Sequence, residues 1–207
     1  EGTYAGESGY GLSYELLDLG LDSRSVALEG GRQGAYEFGL FYDRVPVPIW
    51  DTTQTPFGNV GSQNLTLPEN WVFGGSTGGM TSLDADLRTV DVGYDRDRYG
   101  AVGKYYWGPN VVLALDYRRD DRNGYRSQFG SFGSTSTQLL TPLDDITDRV
   151  TATVRYQTSR WFAELGYNGS FYDTKAAVLR WQNPFSPMVA GADEGQMALA
   201  PDNDYNE

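Results

Sequence analysis

The sequence predicts an all-β protein, an antiparallel up-and-down transmembrane barrel. Three observations predict it: short stretches of apolar–polar alternation, an aromatic content of 14% in a chain of mean hydropathy −0.50, and turn-rich segments between the alternating runs. A soluble domain gathers its aromatic residues into one core, whereas a membrane barrel spends them on its outer surface and interfaces and keeps its inner surface polar. The 15 Tyr and 26 Gly of this 207-residue chain suit the second use. No run of about 18 apolar residues occurs, so any crossing of a bilayer must use strands.

In chain order, the first clear alternation sets Tyr36, Phe38, Leu40 and Tyr42 against Glu37, Gly39, Phe41 and Asp43. A strand around 25–29 and the turn-forming run Gly30-Gly31-Arg32-Gln33-Gly34 precede it. The best helix signal, residues 11–19, is spoiled by Gly11 and by the Tyr-rich alternation before it. Val90, Val92 and Tyr94 alternate with Asp91, Gly93 and Asp95, but Leu83, Ala85 and Leu87 have the opposite parity, so a bulge or strand boundary is expected near Arg88-Thr89. Residues 99–118 read as a hairpin: Tyr99, Ala101, Gly103, Tyr105 and Trp107 share a face, Gly108-Pro109-Asn110 turns, and Val111, Leu113, Leu115 and Tyr117 return. The clearest hairpin spans 150–172, where Val150, Ala152, Val154 and Tyr156 alternate with Thr151, Thr153, Arg155 and Gln157. After Thr158-Ser159-Arg160 the pattern resumes with Trp161, Ala163, Leu165 and Tyr167.

Two stretches, about 45–81 and 123–148, are rich in Gly, Ser, Thr and Pro and read as long irregular loops. Long loops on one side and short turns on the other are the habit of outer-membrane barrels. The whole chain, 1–207, reads as one unit with about eight strands. Its last segment, Ala198-Leu199-Ala200-Pro201-Asp202-Asn203-Asp204, offers no closing aromatic strand, so the expectation is a segment of a larger barrel. A signal peptide is absent from residues 1–4 and is expected to be removed or to lie outside this sequence.

Net charge of −12 disfavours a nucleic-acid groove, which needs clustered Lys and Arg. Zero Cys excludes disulfides, thiolate metal sites and c-type haem attachment, and zero His removes the commonest haem ligand. A Ser/His or Asp/His catalytic arrangement is equally out of reach, and nothing else points to an enzyme. Asp120-Asp121, Asp144-Asp145 and Asp202-Asn203-Asp204 are the acidic clusters that loop Ca²⁺ sites use, yet none has EF-hand spacing, and solvated loop acids are the default. Gly74-Gly75-Ser76-Thr77-Gly78-Gly79 lacks the Lys-Ser/Thr of a phosphate cradle and reads as a loop. No catalytic, cofactor-binding or metal residue is therefore assigned.

The order of local motifs resembles one family. Arg24-Ser25-Val26-Ala27-Leu28-Glu29-Gly30-Gly31-Arg32-Gln33-Gly34, then Tyr42-Asp43-Arg44-Val45-Pro46 and Thr55-Pro56-Phe57, are followed by Leu65-Thr66-Leu67-Pro68 with Trp71, and by Val90-Asp91-Val92-Gly93. Tyr117-Arg118-Arg119 leads to Leu140-Thr141-Pro142-Leu143-Asp144, then to Gly166-Tyr167-Asn168-Gly169-Ser170-Phe171-Tyr172 and Leu179-Arg180-Trp181-Gln182-Asn183-Pro184-Phe185. No single piece is specific, but their order over most of the chain resembles the MtrB/PioB family of decahaem-associated outer-membrane proteins. That resemblance implies a bacterial outer-membrane barrel, of which this chain makes about one third, acting as an insulating sleeve for extracellular electron transfer. It implies a periplasmic multihaem c-type cytochrome inside the barrel, an extracellular multihaem cytochrome as a further partner, and haem c in the partner rather than in this chain.

A sleeve needs a polar lining and an apolar exterior. Alternation assigns Asp91, Asp116, Arg118, Thr151, Thr153, Arg155 and Glu164 to the lumen, and Tyr105, Trp107, Leu113, Leu115, Val154, Leu165 and Tyr167 to lipid, with Trp107, Trp161 and Trp181 as interfacial girdle. Two other functions fit parts of the pattern: an ordinary diffusion porin or transporter without a cytochrome, and a soluble β-sandwich binding carbohydrate through its Tyr and Trp.

Overall fold

Alternation becomes one open antiparallel sheet whose strands pair almost entirely in chain order. The structure, a computed structural model, describes residues 1–186 and 191–207. The sheet contains β1 (Gly2–Ala5), β2 (Tyr10–Leu17), β3 (Arg24–Arg32), β4 (Tyr36–Thr55), β6 (Arg88–Trp107), β7 (Val111–Phe132), β8 (Thr135–Gln157), β9 (Phe162–Thr174) and β12 (Asn203–Asn206), in that order, with β1 and β12 at its edges. A second sheet joins β5 (Asn64–Leu65), β10 (Val178–Gln182) and β11 (Glu194–Ala198) in the order β11-β10-β5. Nine strands in the large sheet replace the expected eight.

Short turns lie at one end of the large sheet, at 6–9, 33–35, 108–110 and 158–161, and the long connections 56–87 and 175–202 lie at the other. Gly108 takes φ 67°, a left-handed conformation that a side chain resists, so the Gly-Pro-Asn turn reverses the chain without strain. Residues 11–17, the weak helix candidate, lie in strand β2. The parity slip near Arg88 is a strand boundary: a short helix, Leu83–Asp86, ends and β6 begins.

The largest departure is at 123–148, expected as an irregular loop. There β7 and β8 continue in unbroken register from Val111↔Tyr156 to Phe132↔Thr135. The tip is a two-residue turn, Gly133-Ser134, with Gly133 at φ 62°, the backbone that matches strand twist in tight hairpins. Likewise β4 runs through residues 45–55, where the expected loop begins. Beyond Arg44 its β3 edge is unpaired, which tolerates Pro46 and Pro48, and register shifts after Pro48 and Trp50 absorb the irregularity.

The second sheet packs on the extended hairpin. Phe57, Leu65, Leu139, Leu179 and Trp181 form its core, with Phe132, Leu67, Met197 and Leu199 against them. Close packing is enforced at Gly130 and Gly195, where a Cβ would run into the Trp181 ring. This cap sits on the side of the hairpin shared by Leu139, Thr141 and Leu143, the parity that continues as Thr147, Arg149, Thr151 and Thr153.

Candidate functional site

Cross-strand partners share a face, so the register sorts every strand residue. One face carries an apolar band: Leu28, Phe38, Leu40, Ala101, Tyr105, Leu113, Leu115, Val150, Ala152, Val154, Leu165 and Tyr167 among others. Most of these large side chains are open on the free-standing sheet, Leu165 to 75%. At the short-turn end the band is edged by Tyr36, Tyr105, Trp107 and Tyr156, with Trp161 in the adjoining turn. At the other end it is edged by Tyr42, Tyr99 and Tyr117. From Trp107 to Tyr99 the strand rises about 26 Å, or about 20 Å along a barrel axis at the usual tilt, so the flanking rings complete a band of hydrocarbon thickness.

The opposite face is polar. Asp116, Arg118, Thr151, Thr153, Arg155 and Glu164 share it, as their alternation predicted, together with Glu37, Lys104, Arg98, Asp43, Arg149 and Asn168. Its charges pair across and along strands: Arg155 with Glu164 at 2.7 Å, Arg118 with Asp116 at 2.9 Å, Arg98 with Asp43 at 2.7 Å, and Arg122 with Asp145 at 2.7 Å. The first three are hydrated pairs of modest energy, which fix side-chain positions more than they stabilise the fold, whereas the Asp145 carboxylate is buried against Arg122.

Two expected positions differ. Asp91 shares strand parity with Tyr105 and Trp107, not with Asp116, because β6 runs unbroken from Arg88; it lies beyond the apolar band, and its neighbour Val92 is the buried residue. Trp181 is no girdle residue: it is 4% exposed, in the cap core, with its ring 6.0 Å from Phe132 in an edge arrangement. Trp107 and Trp161, at 67% and 74% exposure, lie at the short-turn end of the apolar band.

Beyond the band the apolar-face side becomes ionic. The Tyr117 hydroxyl and the Arg119 guanidinium both donate to Asp148, at 2.7 Å and 2.6 Å. The Arg119 hydrogen bond leads in holding the Asp148 carboxyl below the usual carboxylate range, against partial burial. Lys175 donates to Asp144 at 2.9 Å, which raises its ammonium above the ordinary value. The acids expected as solvated loop clusters at 120–121 and 144–145 therefore sit in strands, where Asp120 is bound by Arg96 and Asp145 by Arg122. Among the described residues no group of three or more acids is placed to hold a metal ion.

A family model described as an outer membrane beta-barrel porin, MtrB/PioB, matches residues 2–206. The outer membrane protein MtrB of Shewanella baltica is 33% identical over 202 residues, which cover 97% of this chain and 29% of that protein. This chain thus spans under a third of the length of the curated relative it matches. An open antiparallel sheet with one apolar face and one polar face is what a segment of such a barrel requires. The chain belongs to the MtrB/PioB family of outer-membrane β-barrel proteins.

Proposed function

We propose that this sheet is part of the wall of an insulating sleeve, its apolar face against outer-membrane lipid and its polar face against a multihaem c-type cytochrome that carries electrons across the membrane. The observation that carries the reading is the polar face itself, where Thr, Asn, Arg, Lys, Asp and Glu across β4, β6, β7, β8 and β9 predominate over the few apolar residues among them, Phe41, Val102, Val112 and Ala114, which suits a hydrated protein surface and not hydrocarbon. The chain has no Cys and no His, so it holds no thiol for covalent haem and no imidazole for axial ligation; haem belongs to the partner. The wall's contribution is to keep the redox chain dry on its lipid side and to position it. An extracellular multihaem cytochrome would dock at the long-loop end, where the cap stands.

The test is the visible spectrum of the native full-length protein purified in mild detergent. A c-type Soret band co-migrating in stoichiometric amount supports the sleeve. A colourless barrel that makes liposomes swell in sugar solutions supports the alternative, a diffusion porin, which the family description also admits.

A further inference from the structure

On the polar face, just beyond the level of the apolar band, lies a hollow of about 220 Å³ whose lining includes Phe41, Asp43, Arg96, Arg98, Arg118, Asp120 and Arg149. Its floor is low because Gly100 has no side chain; a Cβ there would meet the Phe41 ring at 2.8 Å and the Tyr117 carbonyl. The charges do not balance. Arg98 is held by Asp43 at 2.7 Å, Arg96 by Asp120 at 2.9 Å, and Arg118 by Asp116 at 2.9 Å through both of its nitrogens. Arg119, which also lines the hollow, is held by Asp148 at 2.6 Å, so five guanidiniums meet four carboxylates, and the fifth, Arg149, makes no side-chain hydrogen bond or ion pair among the described residues. Arg149 is also the direct cross-strand partner of Arg118. Like charges opposed on one face repel, and here they do so in a chain of net charge −12.

A pocket of preset guanidiniums with one unmatched charge is complementary to a carboxylate, which an Arg fork binds through two parallel hydrogen bonds. Its size suits one such group with an apolar edge against Phe41 and is below that of typical cofactor sites. We propose that this hollow is a carboxylate-binding subsite of the sleeve wall, which grips a carboxylate carried by the inserted multihaem protein and fixes its height and rotation. The proposal rests on the sleeve reading, and charge complementarity selects the occupant: at this level the wall offers an unpaired guanidinium set among preset ones.

The experiment uses the native full-length protein with Arg149→Glu, Arg149→Lys, and Arg160→Glu in the far turn as a control of equal charge change. All are first checked for β-sheet circular dichroism and heat-dependent gel mobility. The NaCl concentration that releases the cytochrome is then measured by its Soret absorbance. The expected result is release of the Arg149→Glu complex at about half the wild-type salt concentration or less, with Arg149→Lys, which keeps the charge but loses the fork, in between and Arg160→Glu near wild type. Release of Arg149→Glu at the wild-type concentration overturns the subsite and leaves the sleeve standing. If the wild type carries no haem protein, the sleeve reading fails, and calorimetric titration of the barrel with citrate decides the subsite. Binding by wild type that Arg149→Glu weakens roughly tenfold or more supports it, and equal binding or none overturns it.

Discussion

Replacing Leu115 with Arg tests which face of the sheet meets lipid. Leu115 lies on the apolar face midway along β7 between Val111, whose partner is Trp107, and Arg119, whose partner is Tyr99. It is therefore at the middle of the band, and 53% of its surface is uncovered by the protein. An arginine at the midplane of a barrel's lipid face costs about 2–4 kcal/mol, whereas one on the lumen face costs little. Thr151, one step along the same strand pairing, supplies the contrast: it is the Cα partner of Asp116 on the polar face, and Thr151→Arg gains a nearby carboxylate, so its effect should stay within about 0.5 kcal/mol. The assay is reversible guanidinium unfolding of the full-length barrel in phosphatidylcholine vesicles, followed by tryptophan fluorescence. Leu115→Arg should lower the folded-to-unfolded ratio roughly 30- to 1,000-fold, and Thr151→Arg should leave the midpoint nearly unmoved. A benign Leu115→Arg, or a Thr151→Arg that is the costlier of the two, would refute the assignment of faces.

Further expectations concern the girdle, the cap and the ionic rim. In variants retaining one tryptophan each, Trp107 and Trp161 fluorescence should be quenched more by lipids brominated near the headgroup than by lipids brominated deep in the chain, and Trp181, sealed in the cap, by neither; equal deep quenching would remove the girdle. Trp181→Ala should cost about 3–5 kcal/mol locally, exposing the connections 56–87 and 175–202 to protease while the barrel keeps its heat-dependent gel mobility; loss of barrel assembly would show that the cap is no separate unit. The Asp148 carboxyl is depressed by Arg119, so its stabilisation is present above the ordinary carboxylate pKa and is lost as pH falls through the lower folded value; Asp148→Asn should flatten the stability profile of the full-length barrel below about pH 4, and an unchanged profile would show that this pair contributes nothing.

Sequence patterning revealed the hairpins at 99–118 and 150–172 because lipid and water on opposite faces impose a period of two on the same residues for the full depth of the band. It failed at 123–148 because composition outweighed pattern: Gly, Ser and Thr suggested a loop, although Gly133-Ser134 is a two-residue hairpin signal flanked by the strand-favouring Phe129, Phe132, Thr135 and Thr137. Trp181 was misplaced for a different reason. Its burial depends on Gly130, Gly195 and Phe132, and no local pattern announces that residues so far apart will close on one ring. Asp91 was assigned to the polar face because its neighbours Val90 and Val92 are apolar, which assumes that the apolar side of a strand stays the same throughout its length.

That assumption breaks at a definite place, and the break has a physical meaning. In β8 the apolar residues are even-numbered from Val150 to Tyr156, whereas from Leu139 to Leu143 residues of both parities are buried, Leu140 as fully as Leu139, with no bulge between the two stretches, since β7 and β8 keep one register over their whole length. A strand cannot rotate its faces without a register irregularity, so the change lies in what covers it. Over the first stretch only one side is apolar and it is left uncovered; over the second both sides are covered, the odd-numbered one by the cap core around Leu139 and Trp181. The ion pairs Arg119–Asp148 and Arg122–Asp145 fill the interval, one on each face, and the second is already partly covered, with Asp145 buried. The change therefore marks the end of the apolar band and puts the cap core on the side of the sheet that carries the polar face. On the sleeve reading proposed above, an inserted protein would meet the Arg149 hollow at the end of the band and the cap beyond it, so the overhang that shelters Trp181 would set how far that protein can protrude.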